Sequence, residues 1–185
     1  MKKLHHLLLS ALVAALFLLT PSALHADSAW KIDEESQQVL QDLFAKHPSA
    51  QAIAGESTAM LVFPNIVKAG FIFGAQRGDG ELISNGQVLG YYRTRSVSYG
   101  LQAGVQKYAY VLFFMNHHAL NYLYRHEGFE IGVGPSVVVL DEGAARNIDA
   151  TTLHSDVYAF IFDQHGLMAG LGLQGTRITP LTPDN

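Results

Sequence analysis

Nine histidines and sixteen acidic side chains are the residues of this 185-residue sequence that could ligate a metal or move a proton. Their spacing does neither. His117 and His118 are adjacent, so they cannot share one helical face, and His126 stands too far on to join either. His154 and Asp156 would share one face of a strand and form the best pair available, but a pair is not a metal site. Asp141 and Glu142 are neighbours in a polar stretch, where solvation is the ordinary role of carboxylates rather than acid–base work. The sequence has no cysteine and no Gly-X-Ser-X-Gly, so acyl-enzyme chemistry lacks its usual platform. The cluster Gly74…Gly78-Asp79-Gly80 invites comparison with a phosphate loop. No Gly-Lys-Ser/Thr follows it, however, and the next residues alternate as a strand instead of opening a helix. No metal, no cofactor and no catalytic residue is expected, and the chain reads as a non-enzyme.

One charge feature stands out. Lys68, Arg77, Arg93, Arg95 and Lys107 face only Asp79 and Glu81 in the same stretch. Arg93 and Arg95 have the parity of one strand face, with Tyr91, Tyr92 and Tyr99 nearby. Arginines also guard ordinary strand edges. In an otherwise acidic protein, a basic and tyrosine-bearing patch suits anionic lipid head groups, each cation being worth about 1 kcal/mol near such a surface.

These residues sit on segments of strict period-two alternation, the mark of a half-buried strand. Gly70, Gly74 and Gln76 oppose Phe71, Phe73 and Ala75. Gly100, Gln102, Gly104 and Gln106 oppose Leu101, Ala103 and Val105. Near the end, Gly166, Met168, Gly170, Gly172 and Gln174 oppose Leu167, Ala169, Leu171 and Leu173. One face of each is apolar and the other nearly bare, which suits close packing or a groove.

Around them the spacing predicts a helix over 30–47, with Asp33, Glu34 and Glu35 in its first turn and Pro48 at its end. Its polar face is acidic, so packing on its own domain is expected of it rather than insertion into a bilayer. A short helix follows to Glu56, then a strand over 59–63 ended by Pro64. Strands 69–77 and 81–84 are expected around a turn at Gly78-Asp79-Gly80, with a second turn at Ser84-Asn85-Gly86. Tyr108–Met115 reads as a central strand and Asn116 as the cap of a helix to His126. Strand-like stretches cover 129–134 and 136–140, and 141–149 reads as a loop. A hairpin is expected over 157–175 with its turn at 163–166, and the tail from Thr176 is expected to fray. About eight strands and three helices, mostly joined by tight turns, give an α+β fold. Its sheet is mainly antiparallel, glycine-rich and strongly curved, or a barrel-like sandwich.

Residues 1–26 have the form of a secretory signal, with an uncleaved N-terminal anchor as the alternative: Lys2 and Lys3, an apolar run from Leu7 to Leu19, then Leu24-His25-Ala26 as a cleavage site. Residues 27–185 are then expected to form one domain. Without the signal, 10 basic stand against 16 acidic residues, which argues against nucleic acid as a partner. Export points to the periplasm, and the lack of cysteine excludes a lipoprotein.

The order of the motifs resembles the SYLF domain family. The matching residues are Ala59–Phe63 with Pro64, Lys68–Gly74, Gly78-Asp79-Gly80, Gly100…Gly104-Val105-Gln106, Asn116…Ala119-Leu120, Val133-Gly134-Pro135, and Gly166–Leu171 with Gly175. The sequence departs from the family pattern in two places. It has no tryptophan–proline pair within Tyr91–Ser96, and it has Gln174 where glutamate is common. The resemblance implies a lipid-binding module without catalysis, phosphoinositides being the ligand class of eukaryotic members. For an exported bacterial protein it implies anionic phospholipid or a membrane surface. Lys68, Arg77, Arg93, Arg95 and Lys107 are then the expected head-group contacts, with Phe71 and Phe73 beside them for acyl chains. The alternative is a structural or protein-interaction module of the envelope with no lipid ligand.

Overall fold

The computed structural model describes residues 27–71, 73–99, 104–140, 154–166, 173 and 175–184. Their elements run α1 (Ala29–Lys46), α2 (Pro48–Glu56), β1 (Ala59–Gly70), β2 (Phe73–Ser84), β3 (Gln87–Tyr99), β4 (Gly104–Phe114), α3 (His117–Arg125), β5 (Phe129–Glu130), β6 (Val137–Leu140), β7 (Val157–Gly166) and β8 (Arg177–Leu181). All eight strands belong to one sheet of order β5-β8-β3-β2-β1-β4-β7-β6, antiparallel except for the β6–β7 pair. The fold is α+β, as the alternation predicts.

The sheet curls into a half-barrel. Five strand spacings separate β5 from β4, about 24 Å in a flat sheet. Yet Phe129 of β5 and Phe114 of β4 meet edge to face with ring centroids 6.2 Å apart. The concave side holds Leu61, Phe63, Leu82, Tyr110 and Leu112, closed by Ala119, Leu120 and Leu123 of α3. The convex side holds Val62, Val111, Phe113 and Phe160 against Leu40 and Leu43 of α1 and Ile53 of α2. Every residue from Tyr108 to Phe114 is buried because β4 is covered on both faces.

Several expectations are corrected. Gly78-Asp79-Gly80 is not a turn but lies inside β2, and β1 turns into β2 around residues 70–73. The glycines are required by close approach. A Cβ at Gly80 would strike the Val62 carbonyl oxygen and stand 2.6 Å from the Phe63 ring. Secondly, β1 does not stop at Pro64. It continues to Gly70 through an irregularity between Phe63 and Ile66 in its pairing with β4. Thirdly, the tail does not fray at Thr176. Ile178 is fully buried, β8 pairs with β3, and Asp184 bridges to Ser28.

The helix caps follow local chemistry. The Ser28 hydroxyl accepts from the Lys31 N–H, so α1 begins at Ala29 and Asp33 falls in its second turn, not its first. Asn116 caps α3 as expected, its Oδ1 accepting from Ala119 N–H at 2.9 Å. The Asn85-Gly86 turn is present, with both residues at positive φ (51° and 74°). Strand character over 129–134 is confined to Phe129–Glu130 and an isolated bridge from Glu130 to Val133. The stretch expected to turn at 163–166 is still part of β7. Residues 1–26, the Gly100–Ala103 part of the second glycine segment, the loop at 141–149 and most of 167–174 lie outside the described residues.

Candidate functional site

On β2 the bare face is the concave, buried one. Gly74, Gln76, Gly78 and Gly80 of β2 point inward, while Phe73 and Ala75 are exposed. Glycine here lets the strands curl over a crowded interior, so the open choice between close packing and a groove falls to packing. Several polar groups on this face are paired across the curl, while the buried Gln106 Oε1 has no hydrogen-bond partner among the described residues. Tyr108 Oη donates to Gln76 Oε1 at 2.7 Å, and Gln76 Nε2 donates to Thr176 Oγ1 at 3.1 Å. Tyr110 Oη donates to Thr94 Oγ1 at 2.7 Å. Burial holds the hydroxyls of Tyr108 and Tyr110 well above the usual phenol range.

Lys68 belongs to this interior. It is buried, with Gln76 and Gln106 as its register partners. The structure therefore separates it from the other four expected cations, which all lie on the convex face.

There, register aligns charges laterally. Arg177 of β8 is opposite Arg95 of β3, Arg95 opposite Arg77 of β2, and Arg77 opposite Val67 of β1. Val67 is opposite Lys107 of β4, which is opposite His165 of β7. One row across six strands thus carries three arginines and a lysine. Two residues further along, about 7 Å away, the next row is apolar: Val97, Ala75, Ala69 and Val105. Phe73 stands another two residues out, with Phe71 in the adjoining turn. Val97 is 88% exposed, Phe73 73% and Phe71 71%, far beyond what isolated surface apolar residues need. Helices α1 and α2 cover the convex face only lower down, so this end of the sheet is left open.

A groove of about 1010 Å³ runs between the two rows, lined by Val67, Ala75 and Val97 and bordered by Arg77, Arg95 and Arg177. Asp27 and Asp79 close its lower end. Arg93 is not part of the open row. It clamps Asp79 through Nε and Nη2, both at 2.6 Å, and this pairing holds the guanidinium charged. Arg77 lies 3.9 Å from the same carboxylate. Its pKa is lowered, by burial first and then by the charge of Arg93. Arg177 and Val97 are members of the site that the sequence reading missed. Arg177 fell in a tail expected to fray, and Val97 has no signal beyond sharing the parity of Arg93 and Arg95.

The pair His154 and Asp156 has a different task. Asp156 Oδ1 accepts from Asn116 Nδ2 at 2.9 Å, and Oδ2 accepts from both the N–H and the hydroxyl of Ser136. It ties together the approaches to α3, β6 and β7. Among the described residues, no group of three or more histidine, aspartate or glutamate side chains could hold a metal. No helix among them is long and apolar enough to cross a membrane.

An open convex face with aligned cations and an apolar end is the architecture of a binding module. Residues 95–185 match the family model described as Ysc84, Las17-binding protein actin regulator. The match runs from the middle of β3 through β8 and is consistent with the SYLF resemblance read from the motif order. No curated protein matches the chain.

Proposed function

We propose that the protein is a non-catalytic membrane-docking module of the bacterial envelope, exported by residues 1–26 and working in the periplasm on anionic phospholipid. One observation carries this reading: the row Arg177–Arg95–Arg77–Lys107 lies directly behind the exposed apolar end formed by Val97, Val105, Phe73 and Phe71. Cations at the head-group level with apolar side chains about 7–13 Å beyond them match the depth of an interfacial contact. Four cations near an anionic surface supply roughly 4 kcal/mol. The net negative charge of the whole chain leaves this end as the face that an anionic surface attracts, so docking is oriented.

Sedimentation with vesicles tests it. Binding is expected to vesicles rich in phosphatidylglycerol and not to pure phosphatidylcholine, and to weaken as salt screens the cations. Equal binding to both, or to neither, sinks the reading. A second reading is favoured by the family description, which names a protein-binding activity. The same face then docks a protein partner, and a stoichiometric complex that vesicles do not compete away is its signature.

A further inference from the structure

The contact between α1 and the sheet contains a carboxylate pair that docking does not use. Glu81 of β2 is 1% exposed, and its Oε2 is buried with no hydrogen-bond partner among the described residues. It sits under the second turn of α1, where it faces Asp33, with Ser36 beside it. Asp33 already accepts a hydrogen bond from Tyr91 Oη at 3.0 Å. Tyr91 is also the register partner of Glu81 on β3, so three acidic groups from three elements converge on one small volume.

The cations that face this volume are committed elsewhere. Arg93 on β3 holds Asp79, the neighbour of Glu81 on the same face of β2. Lys31 on α1 pairs with Asp27 at 2.7 Å and Glu35 at 3.8 Å. On β1 the register partner of Glu81 is Val62, which brings no charge. Two carboxylates in contact without a cation, Glu81 closed to water and Asp33 half-buried, cannot both be ionised at low cost. A proton shared between them removes the repulsion and turns the contact into a hydrogen bond. Burial, then the bond to Asp33, pushes the Glu81 carboxyl up to about 8.

We propose that the Glu81–Asp33 pair is a proton-operated latch: one shared proton holds the first two turns of α1 against β2 and β3, and its loss lifts that end of the helix away from the groove. The closed contact binds a proton that the opened one releases, so rising pH favours opening. The effect reaches the binding face because Asp27, just before α1, lines the groove and donates its N–H to Asp79 Oδ2 at 3.2 Å. Opening withdraws the negative charge of Asp27 from beside Arg77 and Arg95 and uncovers the Asp79–Arg93 pair. Alkaline conditions thus make the groove more cationic. The latch is independent of the ligand reading, because it is read without any ligand.

Hydrogen–deuterium exchange of the full chain, normalised to the intrinsic rate at each pH, tests it. Protection of the amides at 30–36 is expected to fall by as much as about tenfold per pH unit from pH 6 towards pH 8, and then to level off. Amides at 38–46 and in β4 should not follow. Glu81→Gln is expected to abolish the pH step. Should that variant fold poorly, Asp33→Asn serves in its place: the introduced side-chain amide can donate to an ionised Glu81, so the step is again lost. Emission of Trp30, the sole tryptophan and 72% exposed, gives a second readout of the same step. A pH step that persists in both variants, or one spread evenly over α1 and β4, overturns the proposal.

Discussion

Arg93 grips Asp79 across adjacent strands through two hydrogen bonds of 2.6 Å, and the same carboxylate accepts the N–H of Asp27 at the start of α1. One largely buried ion pair therefore joins β2, β3 and the segment leading into α1. It also sets Arg93 apart from the lateral row of Arg77, Arg95, Arg177 and Lys107.

Asp79→Ala leaves Arg93 without its counter-ion in a site only 12% exposed. Breaking such a pair costs about 3 kcal/mol, because an uncompensated charge is left behind. Chemical denaturation should show this as a lower midpoint. The double variant Asp79→Ala/Arg93→Met should recover part of the loss, since the orphan charge is then gone.

Gly80→Ala and Gly55→Ala are expected to act in opposite directions. At Gly80 the added methyl meets the backbone of β1, which cannot move aside, and a loss of about 3 kcal/mol or a failure to fold follows. At Gly55, in α2, nothing lies within 4 Å, and alanine should stabilise by about 0.5 kcal/mol. Thermal unfolding of the two variants side by side distinguishes packing from propensity.

On the convex face, Val97→Asp and Arg95→Glu should leave stability within about 0.5 kcal/mol of the parent, since both side chains are exposed. Both should weaken binding to anionic vesicles, and Arg95→Glu should also flatten its salt dependence. Lys68→Gln, by contrast, changes a buried residue on the other face. Any effect it has on vesicle binding should track its effect on stability. A variant pair in which Lys68→Gln abolishes binding with stability intact while Arg95→Glu does nothing would falsify the assignment of the convex face.

Asp156 predicts a limb of acid sensitivity. The bond from Asn116, then those from Ser136, lower its pKa below the ordinary 3.8. A carboxylate depressed in the folded state contributes stability that is fully present above its unfolded value. That contribution is lost as pH falls through the lower folded value. Acid unfolding of Asp156→Ala should therefore show a shallower dependence below pH 4 than the parent. Its stability near neutral pH should be reduced by the loss of the tie between α3 and β6.

Much of this was legible in the chain itself. Period-two alternation with helical spacing on either side determined the α+β class, the central place of Tyr108–Phe114, the cap at Asn116 and the turn at Asn85-Gly86. Parity put Arg93 and Arg95 on one strand face, but it did not separate Lys68 from the other cations; register did. What parity could not tell is which face is inside. Apolar residues ordinarily face the core, yet here Phe73, Val97 and Val105 are outside and the glycines inside. The reason is curvature: a sheet that curls this strongly crowds its concave side until only glycine fits beside the neighbouring backbone, as at Gly80.

The turn at Gly78-Asp79-Gly80 fails for the same reason, since local glycine content reads equally as a bend or as a close approach. Long-range pairing decided the rest. The alignment of Arg77, Arg95 and Arg177 needs strands 18 and 82 residues apart in sequence to fall into one register. The commitment of Arg93 to Asp79, and of Glu81 to Asp33, depends on where α1 lies across the sheet. The sequence by itself determined which side chains share a strand face. Only the tertiary structure decided which face meets water, because that follows from the direction in which the sheet curls and from where the helices cover it.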